Sequence, residues 1–594
     1  MKKDADFHRF SQFSVDLHPR LSAFIRIPFI FLLLLAVSLP FELTTPLATI
    51  GPFSISNLQL LLFLTLASTA VSIYPFRHSW VWPDRYWLWL LPFVAGLFLA
   101  ALLAPQLQAN ALKAALRLLS GILLALAALQ LLRRPENGRL LGLTLVAGGL
   151  LAAALGWWEI AQTELSALSL FRSHLTRVGA LLRLTGPFAY ANQASMFLEA
   201  TLPLLLAAAW WVNGRSLSPR FKTPLLAALL LLILFQVQAI ILTLSRAGAA
   251  TVVVVCLLLA ALLLWRQPPT RRKMGLWWLG LAGLTAVLIA ANFLLSDQFR
   301  LRLLGGNVDE WYRAQISVPP TLELTAGSTI AVPVTVTNEG ALTWRSLGDS
   351  PILLGARLLN EAGTQAHSEL RWPFPNGVRP QETVQMTAPF TAPATPGVYE
   401  LRWDVVEEDV TWFGANSGLY ASSQVTVLPG DAQAAPPASD ALTMSEQAAS
   451  AWAYGGPVPN RTTLWTLAVQ MVGERPLLGI GMDNFRLTYG ERLGNPRYDN
   501  TVHTNSLYLE MLVSVGLLGA LFFLLWSVGL LLDILKTLRH SALTMWQTAL
   551  AASLLAYYIH GFFDFFLLFN ATGLLFWLLT ALWLSEKRRH AYWI

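Results

Sequence analysis

Thr223-Pro224-Leu225-Leu226-Ala227-Ala228-Leu229-Leu230-Leu231-Leu232-Ile233-Leu234-Phe235-Gln236-Val237-Gln238-Ala239-Ile240-Ile241-Leu242-Thr243 holds no acidic or basic side chain. A helix of that length rises about 30 Å, the thickness of a hydrocarbon core, and pairs its backbone polar groups internally. Arg246 follows, and a second apolar run begins at once over 247–265. Working outward, similar runs lie near 22–40, 57–74, 86–104, 116–132, 140–157, 194–212, 275–295, 508–532, 545–560 and 565–584. The expected fold class is an all-α polytopic membrane bundle of about twelve transmembrane helices. Composition agrees: of 594 residues, 55% are hydrophobic and only 13% charged, too few charges to cover a water-soluble surface of this size.

Charge placement orients the bundle. Lysines and arginines fall in alternate gaps, at Arg77 and Arg85, Arg133, Arg134 and Arg139, Arg215, Arg220 and Lys222, Arg266, Arg271, Arg272 and Lys273, Lys536 and Arg539, and Lys587, Arg588 and Arg589. The gaps 41–56 and 105–110 have none. Basic residues favour the cytoplasmic side, so both termini are expected inside a plasma (cell) membrane. The first apolar run lacks a small-residue cleavage pattern and is read as an uncleaved span. The formal charge of +7 fits loops against an anionic leaflet better than nucleic-acid binding. The single cysteine, Cys256, allows no disulfide framework within the chain. Trp80, Trp82, Trp87 and Trp89 read as an interfacial aromatic belt.

The texture changes over 317–429. Thr329-Ile330-Ala331-Val332-Pro333-Val334-Thr335-Val336-Thr337 alternates apolar and polar, as does 397–405, with turns at Asn338-Glu339-Gly340 and Pro375-Asn376-Gly377. Short strands at this spacing predict an extracytoplasmic all-β, Ig-like sandwich insert. The chain then divides into a membrane region at 1–296, a connector at 297–316, the insert, and an Ala/Pro-rich linker at 430–460. A loop segment over 461–507 and a last membrane region at 508–594 complete it.

Three segments on the same expected side are unlike plain anchors. One is Arg183-Leu184-Thr185-Gly186-Pro187 through Gln193, and another is Leu242–Gly248 around Ser245-Arg246. The third runs from Arg461 to Gly519 and includes Glu474-Arg475-Pro476-Leu477-Leu478-Gly479-Ile480-Gly481-Met482-Asp483-Asn484-Phe485, His503-Thr504-Asn505-Ser506-Leu507-Tyr508-Leu509-Glu510 and Gly516-Leu517-Leu518-Gly519. Lys113, Arg117, Arg172 and Arg177 fall on that side too, either as snorkelling or solvated charges or as an electropositive mouth. Gly479-Ile480-Gly481 permits a tight turn where chain approaches chain or ligand.

In their order these segments resemble the O-antigen ligase-like and O-antigen polymerase-like membrane glycosyltransferases, most strongly over about 160–250 and 461–519. His560-Gly561-Phe562-Phe563-Asp564 is similar to a His/Asp pair often found between the last two spans of that family. The resemblance implies transfer of a glycan from a polyprenyl-diphosphate carrier to an acceptor hydroxyl on a glycan, lipid or protein. It implies no nucleotide sugar, no metal and no other cofactor.

Guanidinium groups suit the diphosphate, whose charge grows as the glycosidic bond breaks. Arg183 and Arg246 are the leading candidates, with Arg461 and Arg475 behind them. His503 is the candidate base, supported by Asn505, His560 and Asp564. Relatives often carry a His-Asn pair where Asn505 and Ser506 stand here. Either His503, two residues earlier, substitutes through a small shift of the loop, or the chain has lost the base.

Bland readings stand beside these. Arg246 could snorkel, Arg461 and Arg475 could pair with Glu474, and His560 and Asp564, four residues apart, could stack on one helical face. A transporter or flippase for lipid-linked glycans is the rival function, although such proteins tend to bury their charges at mid-membrane. A scaffold displaying the β insert is a third reading.

Overall fold

The computed structural model describes residues 19–50, 53–74, 80–162, 168–172, 175–178, 181–265, 268–304, 310–346, 351–361, 363, 365–366, 369–408, 410–429, 459–494, 498–539 and 543–591. Arg77, Arg266 and nearly all of the linker expected over 430–460 lie outside these residues.

The chain opens with α1 (Pro19–Ser38), a small hairpin of β1 (Ala48–Ile50) and β2 (Phe53–Ile55), and α2 (Asn57–Ile73). A 3-10 turn at Arg85–Trp89 runs into α3 (Leu90–Leu102), followed by α4 (Gln108–Leu131) and α5 (Pro135–Gln162). After the short pair β3 (Arg177–Val178) and β4 (Leu181–Leu182) come α6 (Ala191–Asn213), α7 (Pro219–Leu242), α8 (Arg246–Leu264) and α9 (Pro269–Leu295). A short helix, α10 (Asp297–Leu304), leads into the β region.

Among the described residues, eight helical stretches are long and apolar enough to cross a membrane: Arg85–Leu102, α4 to α9, and Leu507–Arg539 near the C-terminus. Each of the twelve expected runs falls on a helix, but the apolar part of α1, the whole of α2 and the 16-residue helix Met545–His560 are shorter than a full span, and Asn570–Ala591 is not among the eight. Helix α6 is buried on almost every face, where it packs against α5, α7 and a helix near the C-terminus, Met545–His560. Close approach to α5 is possible because Gly149 has no Cβ, which would stand 2.8 Å from Thr201 Oγ1. Trp87 is not a belt residue. It is buried edge-on against Trp526 and Trp577, whereas Trp82 and Trp89 are exposed.

The β region contains β5 (Ala314–Ser317), β6 (Thr321–Thr325), β7 (Thr329–Asn338), β8 (Ile352–Asn360), β9 (Leu370–Pro373), β10 (Thr383–Thr391), β11 (Gly397–Glu407), β12 (Thr411–Trp412) and β13 (Ala421–Leu428). One sheet has the order β10-β7-β5; the other runs β6-β13-β11-β8-β9, with β12 on β11. Alternation decides their faces: Val332, Val334 and Val336 of β7 are buried while the residues between them face outward. One turn of helix, α11 (Phe413–Ser417), caps Asp404 through the Gly414 N–H.

Beyond the linker come α12 (Arg461–Glu474), α13 (Phe485–Arg492), α14 (Leu507–Arg539), α15 (Met545–His560) and α16 (Asn570–Ala591). The last helix therefore starts later than the apolar run at 565–584 indicated, because residues 561–569 form a turn before it. Helix α14 is broken at Gly516, whose φ of 63° and ψ of −173° are not helical.

The break has a partner. Val513 O and Ser514 O would normally accept from Leu517 and Leu518, four residues on. Instead they accept from Ile480 N at 2.9 Å and Gly481 N at 3.0 Å, while Leu517 N donates to Pro476 O at 2.7 Å. Residues 476–481 thus insert backbone-first into the gap, where Val513 O, Ser514 O and the N–H groups of Leu517 and Leu518 all find partners. The contact demands glycine on both sides. A Cβ on Gly516 would lie 2.3 Å from the Leu477 carbonyl carbon, and one on Gly479 would lie 2.5 Å from Val513 O. We expect Gly516→Ala to cost about 2–4 kcal/mol through its positive φ and the clash. Gly473→Ala, where a Cβ meets nothing within 4 Å, is the control. Thermal unfolding in detergent reads the difference, and equal unfolding temperatures for the two variants would refute this account.

Candidate functional site

The inserted loop positions the first half of the site. It ends at Asp483, which has a left-handed φ of 70° and turns its carboxylate back toward α13. There Arg486 grips it with two hydrogen bonds of 2.7 Å each. Asn110 of α4 donates to Asp483 Oδ2 at 3.3 Å and to Asn484 Oδ1 at 3.0 Å, tying this turn to the bundle.

His503 lies buried against that carboxylate, with its Nε2 3.8 Å from Asp483 Oδ1. Its Nδ1 is 3.4 Å from Glu510 Oε1, and Glu510 is itself fully buried and accepts from Thr504 N at 3.0 Å. The rings of Phe565 and Phe569 close the other sides, with centroids 5.5 and 5.6 Å away. Burial alone would lower the imidazole pKa. The Glu510 carboxylate, then Asp483, outweigh burial and leave it raised above the ordinary 6.5, with Arg486 opposing in part.

Asn505 shapes the loop that carries His503. Its φ of 52° is left-handed, a conformation asparagine tolerates, and it turns the chain sharply just before α14. That turn brings His503 over Glu510, seven residues later. The indole of Trp465 in α12 fastens the loop by donating to Thr504 O at 2.9 Å.

The second half of the site is a group of arginines around Asp564. Arg183 donates to Thr243 O at 2.8 Å and to Asn192 Oδ1 at 2.7 Å, and Asn192 donates on to Asp564 Oδ2 at 2.7 Å. Arg461, at the start of α12, stands 6.0 Å from the Phe563 ring centroid. Arg246 is exposed at the first residue of α8, where Ser245 caps the helix by accepting from Gly248 N at 3.2 Å. Arg302 of α10 completes the group, and its Nε is buried without a hydrogen-bond partner.

The charges work against one another. Burial, then the Arg302 charge, push Arg183 down to about 9, with Asp564 opposing. Burial, then Arg246 and Arg461, push Arg302 down to about 10. Arg461 is lowered by burial and by Arg246, again with Asp564 opposing. Arg183, Arg302 and Arg461, each lowered first by burial, stand with Arg246 around the Asp564 carboxylate, a grouping whose charge suits an anion. The two halves meet at the turn 561–569, since Phe563 and Asp564 face the arginines while Phe565 and Phe569 face His503.

His560 is the last residue of α15, fully buried inside the bundle, with its Nδ1 3.0 Å from Glu199 Oε2. Ser195 donates to Glu199 Oε1 at 2.5 Å, and His560 Nε2 is buried without a hydrogen-bond partner. Because α15 stops there, Asp564 lies in the turn and the two do not stack on one helical face. Among the described residues, no three of His, Cys, Asp and Glu stand together in a way that could hold a metal ion.

The structure thus brings Arg183, Arg246, Arg461 and Asp564 together and sets His503 on the same turn. It does not bring Arg475, whose Nη1 donates to Leu103 O at 3.2 Å. Glu474 pairs with Arg492 at 2.6 Å, not with Arg461 or Arg475. Arg172 forms a buried ion pair with Glu159, which also accepts from Gly186 N at 2.8 Å, so it serves the loop and not an electropositive mouth. Arg117 donates to Leu568 O at 3.0 Å.

Sequence reasoning missed Arg302, Asp483 and Glu510 as site residues. Asp483 and Glu510 stood within quoted motifs, but their pairing with His503 crosses 20 and 7 residues of chain. Arg302 carried no motif at all.

Residues 420–524, from just before β13 through His503 and the Gly516 break, match the family model described as O-Antigen ligase. No curated protein matches the chain. The helix break, His503 with Asp483 and Glu510, and Arg461 all lie inside that match, so a chain with several helices apolar enough to span a bilayer carries an O-antigen ligase-type region over these residues.

Proposed function

We propose that the protein transfers a glycan from a polyprenyl-diphosphate donor to an acceptor hydroxyl at the outer face of the membrane. The reading includes about twelve spans, both termini inside, and the β region as an extracytoplasmic Ig-like sandwich. What carries it is the joining, at one turn, of an arginine cluster suited to a diphosphate and a buried histidine flanked by two carboxylates.

In the step envisaged, the acceptor oxygen bonds to the anomeric carbon as the bond from that carbon to the phosphate oxygen breaks. The diphosphate leaves with the electron pair, held by Arg183, Arg246, Arg302 and Arg461. The hydroxyl proton passes to the unprotonated nitrogen of His503, and Glu510 and Asp483 stabilise the imidazolium.

Arg302 gives a specific test because no motif marks it. Arg302→Ala is expected to lower transfer from a defined polyprenyl-diphosphate oligosaccharide by about 10- to 100-fold in purified protein in lipid. A rate within twofold of wild type would remove Arg302 from the site. The alternative, a flippase for lipid-linked glycans, draws on Glu199 and His560 buried inside the bundle. Movement of labelled donor across liposomes without transfer would favour it and overturn the enzyme reading.

A further inference from the structure

A cavity of about 330 Å³ is lined by Asn484, the chain neighbour of the Asp483 that faces His503. Its volume falls within the roughly 300–1,000 Å³ of small-ligand sites. The buried Met471 of α12 and Ile480 of the inserted loop give it an apolar floor, and Pro105 stands exposed at its edge. Gln106, Asn484 and Thr488 form its walls, and Glu491 and Arg492 of α13 its rim.

The walls are built, not incidental. Asn484 is fixed by donating to Gln106 O at 3.0 Å and Ile480 O at 2.9 Å and by accepting from Asn110. Thr488 Oγ1 donates to Asn484 O at 2.9 Å. Beneath them Leu464, Leu467, Met471, Ile480, Phe485 and Tyr489 make a separate apolar cluster that holds α12 and α13 rigid against the loop.

Chemistry separates this cavity from the arginine cluster. None of Arg183, Arg246, Arg302 and Arg461 lines it, and its one guanidinium, Arg492, is neutralised by Glu474. Amide, hydroxyl, carboxylate and paired guanidinium groups over an apolar floor suit a ligand that is uncharged, rich in hydroxyls and apolar on its ring faces. That description fits a saccharide.

Helix α12 gives the spacing. Arg461 at its first residue faces the arginine cluster, Trp465 holds the His503 loop, and Met471 floors the cavity. At 1.5 Å per residue these points lie about 6 Å and then about 9 Å apart. The arginine cluster, the His503 loop and the cavity thus follow one another along α12.

We infer that this cavity is the binding site for a saccharide unit of the acceptor glycan, next to the unit whose hydroxyl reaches His503. The acceptor assignment rests on the transferase reading, whereas the saccharide assignment rests on the cavity itself.

Full-length protein in lipid nanodiscs would be probed by saturation-transfer NMR with lactose, maltose and diacetylchitobiose. At least one disaccharide should give signals that Arg246→Ala keeps. Thr488→Trp, which fills the cavity, and Glu491→Ala, at the exposed rim, should each weaken binding about 10-fold or more. In a transfer assay the same two variants should raise the acceptor KM about 10-fold while leaving the donor KM near wild type. Absence of signal from all three sugars, or signals unchanged in both variants, overturns the saccharide site. Transfer with an unchanged acceptor KM in Glu491→Ala and Thr488→Trp overturns the acceptor role. Failure of the transferase reading shows itself differently, as no transfer by wild type while disaccharide binding still depends on Thr488 and Glu491.

Discussion

If His503 is the base proposed above, replacing it by alanine is expected to lower transfer about 100- to 10,000-fold while leaving the donor KM close to wild type, the range a positioned general base supplies. The expectation comes from the pocket. A buried imidazole between two carboxylates is held in one orientation, with Glu510 on Nδ1 and Asp483 beside Nε2. Removing it deprives the acceptor hydroxyl of its proton acceptor but leaves the arginines untouched. Single-turnover rates with saturating donor measure the effect, and circular dichroism and unfolding temperature check the fold. Retention of more than about a tenth of the wild-type rate would place the base elsewhere.

The same pocket fixes a pH dependence. Only neutral His503 can accept a proton, and its pKa is raised above 6.5, chiefly by Glu510 against the effect of burial. Transfer should therefore climb as pH rises through a value above 6.5, and Glu510→Gln should move that limb to lower pH. Linkage has the opposite sign. A raised folded pKa gives stability that is fully present below the unfolded value and lost as pH rises through the folded one. The most active form is thus not the most stable, and an unfolding series between pH 5 and 9 would show the two trends crossing.

The second large effect is at Arg246. Its substitution by alanine is expected to reduce kcat/KM for the donor about 100- to 1,000-fold, as loss of one donor to a developing charge does elsewhere. Arg246 is exposed at a helix N-terminus, where the backbone dipole also favours an anion, so its loss should leave the fold intact. Arg183 is a poorer probe, since its bonds to Thr243 O and Asn192 also hold the loop. Arg246→Lys should recover part of the rate because the charge remains while the planar fork is lost. Rates from a polyprenyl-diphosphate disaccharide decide it, and wild-type kcat/KM in Arg246→Ala would show that the diphosphate binds elsewhere.

The linear chain carried the helices because their cause is local. A run such as 223–243 has no charge to solvate, so α7 forms there whatever its neighbours do. The β7 strand was equally legible, since alternation at a period of two leaves only one way to bury Val332, Val334 and Val336. Gly479, Gly481 and Gly516 announced a close approach in the sequence. Only the fold shows that the three belong to one contact, where a loop inserts into a broken helix.

Charged side chains were read less well, for a physical reason. Whether an arginine snorkels, pairs or waits for an anion depends on what lies within a few ångströms, and a long side chain chooses among partners far away in sequence. Glu474 had Arg475 beside it and took Arg492; Arg172, expected at a mouth, is locked to Glu159. Arg302 has no motif to betray it and gains its place only because α10 packs onto the end of α9. Local pattern along the chain settles which segments become helix and strand and which residue types are available for the chemistry. The tertiary structure decided which of those residues meet, because electrostatic and hydrogen-bond partners are set by distance in space and not by spacing along the chain.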